Sequence, residues 1–258
     1  MSSRKMKSPI RENTNNFKCL PHLRKLIPAG SVVNSFLFYD GSLEINLADQ
    51  RRFVIGHTTQ YVIHEFWDCA LSNPQRIASI AKELNNLRDP NIFYMLQENW
   101  PKYKDPYVRS ALFFILNRCS DTGDISAGKF NARTYNPIAL SHLNKFKLPT
   151  LHVQLDQTEN FIEGIKNVKD TDYLLLPVGK FSYNFFEHGK NRGFEMTTVD
   201  HKKLSEALRE ITDKWVTVYK NHHELYKLYK DYNVTMLNKH GKITTDKSTC
   251  EEVVIANF

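Results

Sequence analysis

The sequence has 258 residues, of which 41% are hydrophobic and 24% are charged. This composition is ordinary for a globular chain with a sizeable core, arranged as one large domain or as a core with a small lobe. No apolar run approaches the ~20 residues of a membrane helix, and residues 1–16 lack the apolar block of a signal peptide. We therefore expect neither a membrane span nor a secretory signal.

Charge and cysteine usage narrow the classes of partner. The net charge is +7 and the pI is near 9.1, which permits a polyanion such as nucleic acid as a partner. Cys19, Cys69, Cys119 and Cys250 are scattered without a Cys-x-x-Cys pair. This spacing argues against a zinc site and a disulfide scaffold and favours a reducing compartment, so we expect no bound metal and a cytoplasmic location.

The N-terminal part of the chain alternates between predicted strands and helices. After a polar, basic arm, a short helix is predicted over 17–26. Strands over 31–36 and 52–56 then alternate with helices over 43–48 and 59–71. An alternating β-α-β-α pattern is typical of a parallel sheet with crossover helices.

The middle of the chain departs from this alternation. Helices are predicted over 74–86 and 107–118, and the second is apolar on most faces and therefore buried. Residues 119–137 are rich in Ser, Thr, Gly, Asp and Asn, which indicates an exposed excursion such as a small hairpin. The remaining predicted helices are 138–146, 159–167, 198–212 (with Thr198 as N-cap) and 222–229, and the remaining strands are 150–155, 173–176, 215–219, 234–237 and 252–258.

The stretch around residues 173–176 predicts the position of any active site. It is a continuous apolar run of strand length bounded by turn signals, as in a central strand of a parallel sheet. In open α/β sheets, ligands bind just beyond the carboxyl ends of such strands, which here is the sequence LPVG at 176–179. LPVG contains no ionisable or hydrogen-bonding side chain.

Several segments occur in the order found in one enzyme family. They are SPIR at 8–11, Gly41-Ser42 after the first strand, VIG at 54–56, LNRCS at 116–120, DHKKLSEAL at 200–208, ELYKLYKDY at 224–232 and EEVVIANF at 251–258. On these segments the chain resembles the Dam-like class of adenine-specific DNA methyltransferases, which includes many phage-encoded members. The resemblance implies a methyltransferase-type, Rossmann-like α/β fold with a doubly wound mixed sheet. It further implies a core of 1–72 and 147–258 and an inserted helical, target-recognition-like lobe of 73–146.

The same comparison reveals losses at the expected cofactor site. Relatives continue SPIR with YPGGK, whose glycines and lysine help to hold S-adenosylmethionine, whereas residues 12–16 here read ENTNN. The glycine-rich turn FFGGGS of relatives reads LFYDGS here, so a ring and a carboxylate take two places where glycine lets the cofactor approach. The acid of the relatives' IGYD, which binds the ribose hydroxyls, is missing from IGHT here. The degenerate cofactor positions are Asn15, Asn16, Tyr39, Asp40, Gly41 and Thr58.

The catalytic motif of the family is also degenerate. Its DPPY corresponds here to Leu176, Pro177, Val178 and Gly179. In the family the acid accepts a hydrogen bond from the adenine amino group and the tyrosine stacks on the flipped base. Loss of one oriented polar group costs about 10²–10³ in rate, and base stacking contributes about 1–3 kcal/mol. We therefore expect no catalytic residues and no bound cofactor, with an active S-adenosylmethionine-dependent enzyme of divergent motifs as the alternative.

Basic residues suggest what such a protein could still bind. Relatives place a target-recognition hairpin near 119–137, where this chain has Lys129, Arg133 and Tyr135 next to Arg118. Basic side chains interleaved with an aromatic ring suit phosphate contacts and stacking. Lys239 and Lys242 form a second basic edge. DNA and another protein are the two classes of partner that stay open. If a phage encodes the chain, the expected location is the host cytoplasm. A scaffold protein that binds no nucleic acid is a further alternative.

Overall fold

The computed structural model describes residues 5–11, 18–84, 89–126, 128–158, 160–179, 184–185 and 197–258. The strands are β1 (Val32–Ser35), β2 (Phe53–Thr58), β3 (Leu151–Leu155), β4 (Tyr173–Gly179), β5 (Asn184–Phe185), β6 (Thr197–Thr198), β7 (Trp215–Lys220), β8 (Asn233–Asn238) and β9 (Cys250–Ala256). The helices are α1 (Leu20–Leu26), α2 (Ser42–Ala48), α3 (Tyr61–Ser72), α4 (Pro74–Glu83), α5 (Pro90–Asn99), α6 (Pro106–Cys119), α7 (Pro137–Asn144), α8 (Phe161–Asn167), α9 (His201–Glu210) and α10 (Leu225–Leu228).

One seven-stranded sheet organises these elements. Its strand order is β3-β2-β1-β4-β7-β9-β8, with β5 and β6 paired separately. The strands from β3 to β7 are parallel, and β9 runs antiparallel between β7 and β8. The connections lead outward from β1 on one side and from β4 on the other, so the switch point of the doubly wound sheet lies between these two strands. This arrangement confirms the predicted fold class.

The sequence explains why the central strands lie inside the protein. In β4, Tyr173 to Leu176 are all buried, as expected of a strand covered by helices on both faces. Right-handed crossovers that run in opposite directions place α2 and α3 on one face of the sheet and α8 and α9 on the other. In α9, Leu204, Ala207 and Leu208 recur at helical spacing and are buried.

The N-terminus of α9 corrects one prediction. Thr198 lies in β6, where it pairs with Asn184, so it is extended strand and does not cap the helix. The cap is Asp200, whose carboxylate accepts a hydrogen bond from the Lys203 N–H at 3.0 Å. A short side chain with an acceptor oxygen satisfies one of the free N–H groups of the first turn.

Helices α4 to α7 pack together beside the sheet. The α6 helix contacts α4 and α5, and it also contacts α3 of the sheet layer. After α6, a single antiparallel bridge joins Ser120 and Phe130, which gives the predicted excursion a short paired base. One continuous hydrophobic cluster includes residues on both sides of the predicted boundaries. The division into a core and an inserted lobe therefore stays a prediction.

The described part of the chain has neither a candidate membrane helix nor a candidate metal site. No helix there combines the length and the apolar character needed to cross a membrane. No three His, Cys, Asp or Glu side chains in those residues lie close enough together to hold a metal ion. All four cysteines are buried and none forms a disulfide, so they serve as small core side chains.

Candidate functional site

The turn between β1 and α2 lies at the carboxyl edge of the sheet, beside the switch point. Its residues Phe36, Leu37, Phe38 and Tyr39 are at most 6% exposed. Leu37 has a φ of 61°, a left-handed conformation that is unfavourable for a residue with a Cβ. The turn is therefore held in an unusual shape by buried side chains.

The Phe38 ring fills the space above two glycines. A Cβ added to Gly56 on β2 would lie 2.4 Å from Phe38 Cδ2, and a Cβ added to Gly41 would lie 2.9 Å from Phe38 Cζ. The ring also meets the edge of Trp67, with ring centroids 5.3 Å apart. The room left by the missing Cβ atoms is thus taken by a phenyl ring of the protein itself.

The end of β2 is closed by a second stacked pair. The Phe36 ring stacks on the imidazole of His57 with centroids 4.3 Å apart and an interplanar angle of 10°. His57 Nδ1 donates to Asp156 Oδ1 at 2.9 Å, and Nε2 lies 2.7 Å from the side-chain oxygen of Asn34. Thr58, where relatives carry an acid, is buried, and its hydroxyl accepts the N–H of Gln60. Asp156, which follows β3, therefore brings a carboxylate into contact with this corner.

Two buried carboxyl groups stand at the start of α2. Asp40, which precedes the N-cap residue Gly41, accepts the N–H of Ser42, the first residue of the helix, at 3.0 Å. Glu44 accepts the Ser35 hydroxyl at 2.6 Å. Burial raises the pKa of Asp40 to about 6 and the pKa of Glu44 to about 7, against the hydrogen bonds that each receives.

The positions of the degenerate catalytic motif belong to β4, which runs past its predicted end to Gly179. Leu176 and Val178 are fully buried, and the pairing with β7 shifts between Leu176 and Gly179. The Leu176 carbonyl accepts the Thr217 hydroxyl at 3.0 Å. Gly179 has a φ of 78°, a conformation that glycine adopts without strain. These residues with Pro177 supply packing and backbone geometry, and no side chain that could act on a substrate.

A pocket of about 430 Å³ opens beside this turn. Asp40 and Ser42 form part of its wall. Its cationic side chains come from the N-terminal segment, the end of α6 and the excursion that follows, and they are Lys7, Arg11, Arg118 and Arg133. Sequence reasoning named Arg118, Arg133 and Asp40, and the structure brings them together in this one pocket.

Two of these arginines are held firmly by backbone oxygens. Arg118 donates from Nε to the Pro9 carbonyl at 2.7 Å and from Nη2 to the Ser8 carbonyl at 3.0 Å. Arg11 donates from Nη1 to the Ser120 carbonyl at 3.2 Å and to the Thr134 hydroxyl at 2.9 Å. Burial, and then the nearby Arg11 charge, lower the pKa of Arg118 to about 10.

The other predicted nucleic-acid residues do not join this pocket. Tyr135 is 2% exposed, packs against Phe114 and donates its hydroxyl to the Ala81 carbonyl, so its ring does not fit a base-stacking role. Lys129 is exposed on the excursion. Lys239 and Lys242 are exposed in the turn after β8, at the far edge of the sheet. Asn15, Asn16 and residues 181–183 lie outside the described residues.

Several residues of the site were not assigned a role from the sequence. Lys7 and Arg11 flank the SPI sequence and line the pocket together with Arg118, although over one hundred positions separate them from it in the sequence. No local pattern reveals such a long-range contact. Phe36 ends the predicted first strand and Phe38 follows it in the turn LFYDGS, and the sequence does not show which way each ring points. Asp156 directly follows a predicted strand, and its place at a strand end was the available signal.

Comparisons with known proteins give distant structural similarities. No protein family and no curated protein matches the chain. Among solved structures, it is similar to a TehB-like SAM-dependent methyltransferase from Corynebacterium glutamicum, at 7% identity over 94% of this chain and 87% of that chain, with a TM-score of 0.40. It is also similar to a SAM-dependent methyltransferase from Agrobacterium tumefaciens, at 9% identity over 92% of this chain and 59% of that chain, with a TM-score of 0.38.

A third solved structure, a fibrillarin/Nop5p complex, is matched at 7% identity over 90% of this chain and 74% of that chain, with a TM-score of 0.35. Similarity at these levels carries no inference about activity, substrate or partner. The seven-stranded sheet with its antiparallel β9 is a methyltransferase-type, Rossmann-like sheet. The chain accordingly has a methyltransferase fold.

Proposed function

We propose that the protein is related to the Dam-like class of adenine-specific DNA methyltransferases, and that it binds DNA without transferring a methyl group. The observation that carries this proposal is the Phe38 ring in the space above Gly41 and Gly56. A cofactor of this family would need that space, because it lies against the backbone of the turn after β1.

The remaining cofactor contacts also fit poorly. Thr58 is neutral and buried where an acid would receive the ribose hydroxyls. Asp156 is nearby, but one of its oxygens already accepts the His57 imidazole at 2.9 Å. S-adenosylmethionine would have to displace rings from the core and compete for this carboxylate, and its binding is expected to be weak or absent.

Methyl transfer would face a further obstacle at the end of β4. Leu176 offers no acceptor for an adenine amino group, and Gly179 offers no ring for a flipped base. Removing one oriented polar group from an active site commonly costs about 10²–10³ in rate. Two such losses at one strand end support a protein that no longer transfers methyl groups.

The DNA-binding half of the proposal is supported by charge. The chain carries a net charge of +7, and Lys129 and Arg133 are exposed on the excursion between α6 and α7. Phosphate contacts from exposed Lys and Arg supply most of the sequence-independent affinity of DNA-binding proteins. The excursion lies where relatives have a target-recognition hairpin, so we place the DNA contact there.

Calorimetric titration with S-adenosylmethionine tests the loss of cofactor binding. The wild type is expected to release no heat at millimolar cofactor. Phe38→Ala is titrated beside it, with Phe113→Ala, which removes a buried ring from α6, as the matched control. Binding gained only by Phe38→Ala would assign the exclusion to that ring. Micromolar binding by the wild type would contradict the proposal.

Fluorescence anisotropy with a labelled adenine-containing duplex tests DNA binding separately. We expect micromolar affinity at low salt and a loss of affinity in Lys129→Gln/Arg133→Gln. If the wild type does not bind duplex DNA, the DNA half is wrong and the scaffold alternative becomes the better description. Incubation with labelled S-adenosylmethionine under the same conditions is expected to leave the DNA unlabelled.

One observation favours the alternative, an active S-adenosylmethionine-dependent adenine methyltransferase with divergent motifs. Asp156 Oδ2 is buried and has no hydrogen-bond partner among the described residues, as would suit an oxygen that receives a ligand hydroxyl. Under this alternative, wild-type protein would bind the cofactor and Asp156→Asn would weaken that binding at least tenfold. The same calorimetric titration therefore decides between the two functions.

A further inference from the structure

Among its described lining residues, the pocket beside the turn has an excess of positive charge. Lys7, Arg11, Arg118 and Arg133 line it together with one acid, Asp40. No ion pair joins any of these four cations to a carboxylate within the described ranges. A concave surface with this imbalance concentrates anions, because the low-dielectric walls strengthen the field inside it.

The two inner arginines are fixed in position before any ligand arrives. Arg118 bonds to the carbonyls of Ser8 and Pro9, and Arg11 bonds to the Ser120 carbonyl at 3.2 Å and to the Thr134 hydroxyl at 2.9 Å. All of these acceptors are neutral, so they orient the guanidinium groups without cancelling their charge. Two like charges held close together repel each other, and an anion placed between them would relieve that repulsion.

The Asn117 side chain reinforces this arrangement from the end of α6. Its Oδ1 accepts the Arg11 N–H at 2.7 Å, and its Nδ2 donates to the Arg11 carbonyl at 2.8 Å. Asn117 is fully buried, so the backbone that carries Arg11 is anchored to the helix that carries Arg118. Such pre-ordering lowers the entropy that a ligand must lose on binding.

The size and lining of the pocket indicate more than an inorganic ion. A volume of about 430 Å³ is in the range of ligand pockets in proteins. Ile10, Ile138 and Ala139 give it an apolar wall, and Ile138 is 66% exposed there although it is a large hydrophobic residue. An apolar wall next to a cationic one suits a ligand with a flat ring and an attached phosphate.

We propose that this pocket binds the phosphate of a nucleoside monophosphate, either as a free nucleotide or as the 5′-phosphorylated end of a nucleic-acid strand. The inner arginines contact the phosphate, and the exposed Lys7 and Arg133 add charge at the mouth. A terminal phosphate can enter a concave site, whereas a phosphate inside a duplex backbone stays on the surface. The proposal goes beyond the proposed function, because it requires neither duplex binding nor the loss of methyl transfer.

Calorimetric titration with 2′-deoxyadenosine 5′-monophosphate, with deoxyadenosine as the phosphate-free control, tests this site. The nucleotide is expected to bind with a dissociation constant below 1 mM, and deoxyadenosine is expected to bind at least tenfold more weakly, since charge-assisted hydrogen bonds to a phosphate are the stronger kind. Lys7→Gln/Arg133→Gln, which changes two exposed side chains and should leave the fold intact, is expected to weaken nucleotide binding at least fivefold. Lys129→Gln/Lys239→Gln removes the same charge outside the pocket and should change it less than twofold.

Oligonucleotides with and without a 5′-phosphate then distinguish the two sources. Tighter binding of the phosphorylated strand, lost in Lys7→Gln/Arg133→Gln, assigns the site to strand ends. Binding of the mononucleotide without any effect of the 5′-phosphate assigns it to free nucleotides. No binding of the nucleotide at 5 mM to folded wild-type protein, or equal weakening by both double variants, would overturn the proposal. Either result leaves the cofactor titration and the duplex measurement unaffected, so the two proposals fail separately.

Discussion

At the scale of single residues, two buried acids at the start of α2 have a measurable effect on stability. Asp40 and Glu44 are at most 9% exposed, and their hydrogen-bond donors are Ser42 and Ser35. Neutral N–H and O–H donors do not compensate fully for removing a carboxylate from water. Desolvation therefore dominates, and both groups hold their protons more tightly in the folded protein than in the unfolded chain.

This difference predicts a fall in stability with rising pH. Between about pH 4 and pH 7 the native state keeps protons that the unfolded chain has already released, because the folded pKa values are about 6 and 7 against model values of 3.8 and 4.5. The free energy of unfolding then decreases as the pH rises through this window, by up to about 2–3 kcal/mol per group.

Asp40→Asn and Glu44→Gln should flatten this decrease, since an amide cannot release the proton. Urea unfolding at pH 4.5, 5.5, 6.5 and 7.5 measures the effect. Asp246→Asn is the control, because Asp246 is exposed and its pKa is lowered by hydrogen bonds from Ser248, so it acts below this window. A stability that rises from pH 5 to pH 7 in the wild type would show that the two acids are not buried as described.

The Phe38 ring predicts a second effect at the scale of one residue. It is fully buried between Gly41, Gly56 and Trp67, so Phe38→Ala is expected to lower the free energy of unfolding by about 3–5 kcal/mol. Phe53→Ala, at the first residue of β2, is the control, because Phe53 is 54% exposed and its loss should cost less than about 1 kcal/mol. Equal effects of the two substitutions would mean that the ring does not fill the turn.

At the scale of elements, one ion pair joins α3 to α6. Arg109 donates from Nε to Glu65 Oε1 at 2.7 Å and from Nη2 to Glu65 Oε2, and Tyr61 donates its hydroxyl to Oε2 at 2.8 Å. The side chains of Glu65 and Arg109 are 8% and 18% exposed. Removing one partner of such a pair leaves a charge with little access to water.

We predict that Arg109→Met lowers the free energy of unfolding by about 3 kcal/mol, and that Glu65→Leu/Arg109→Met restores at least half of this loss. A urea double-mutant cycle measures the coupling. The exposed pair of Arg76 and Asp105, with side chains 49% and 41% exposed, serves as the comparison. Arg76→Ala should cost less than about 1 kcal/mol. An Arg109→Met cost as small as that of Arg76→Ala would contradict the prediction.

The sequence predicted the strands and helices better than it predicted the candidate site. Buried parallel strands are apolar runs, so β1, β4 and β7 could be recognised locally. The N-cap of α9 was wrong because Thr198 and Asp200 are both good capping residues and only pairing with β5 distinguishes them. The basic pocket could not be predicted as a unit, since it depends on contacts between residues 7–11 and α6.

At the scale of the whole molecule, the positive charge lies in two separate regions of the surface. Because β8 runs in the same direction as β7, its following turn with Lys239 and Lys242 lies at the carboxyl edge of the sheet, as the pocket does. Four strand spacings separate β8 from β1, which is roughly 19 Å. This exceeds the Debye length of about 8–10 Å at physiological salt, so the two basic regions act independently.

This separation predicts which cations set the salt dependence of DNA binding. Each phosphate contact contributes about 0.9 to the slope of log affinity against log salt on duplex DNA. With DNA on the excursion between α6 and α7, Lys129→Gln/Arg133→Gln should reduce the magnitude of this slope by about 2. Lys239→Gln/Lys242→Gln lowers the net charge equally and should leave the slope unchanged. Anisotropy titrations from 50 to 200 mM salt distinguish local contacts from an effect of the overall charge. Equal changes of the slope in both variants would mean that only net charge matters. A change confined to Lys239→Gln/Lys242→Gln would place the DNA at the far edge of the sheet.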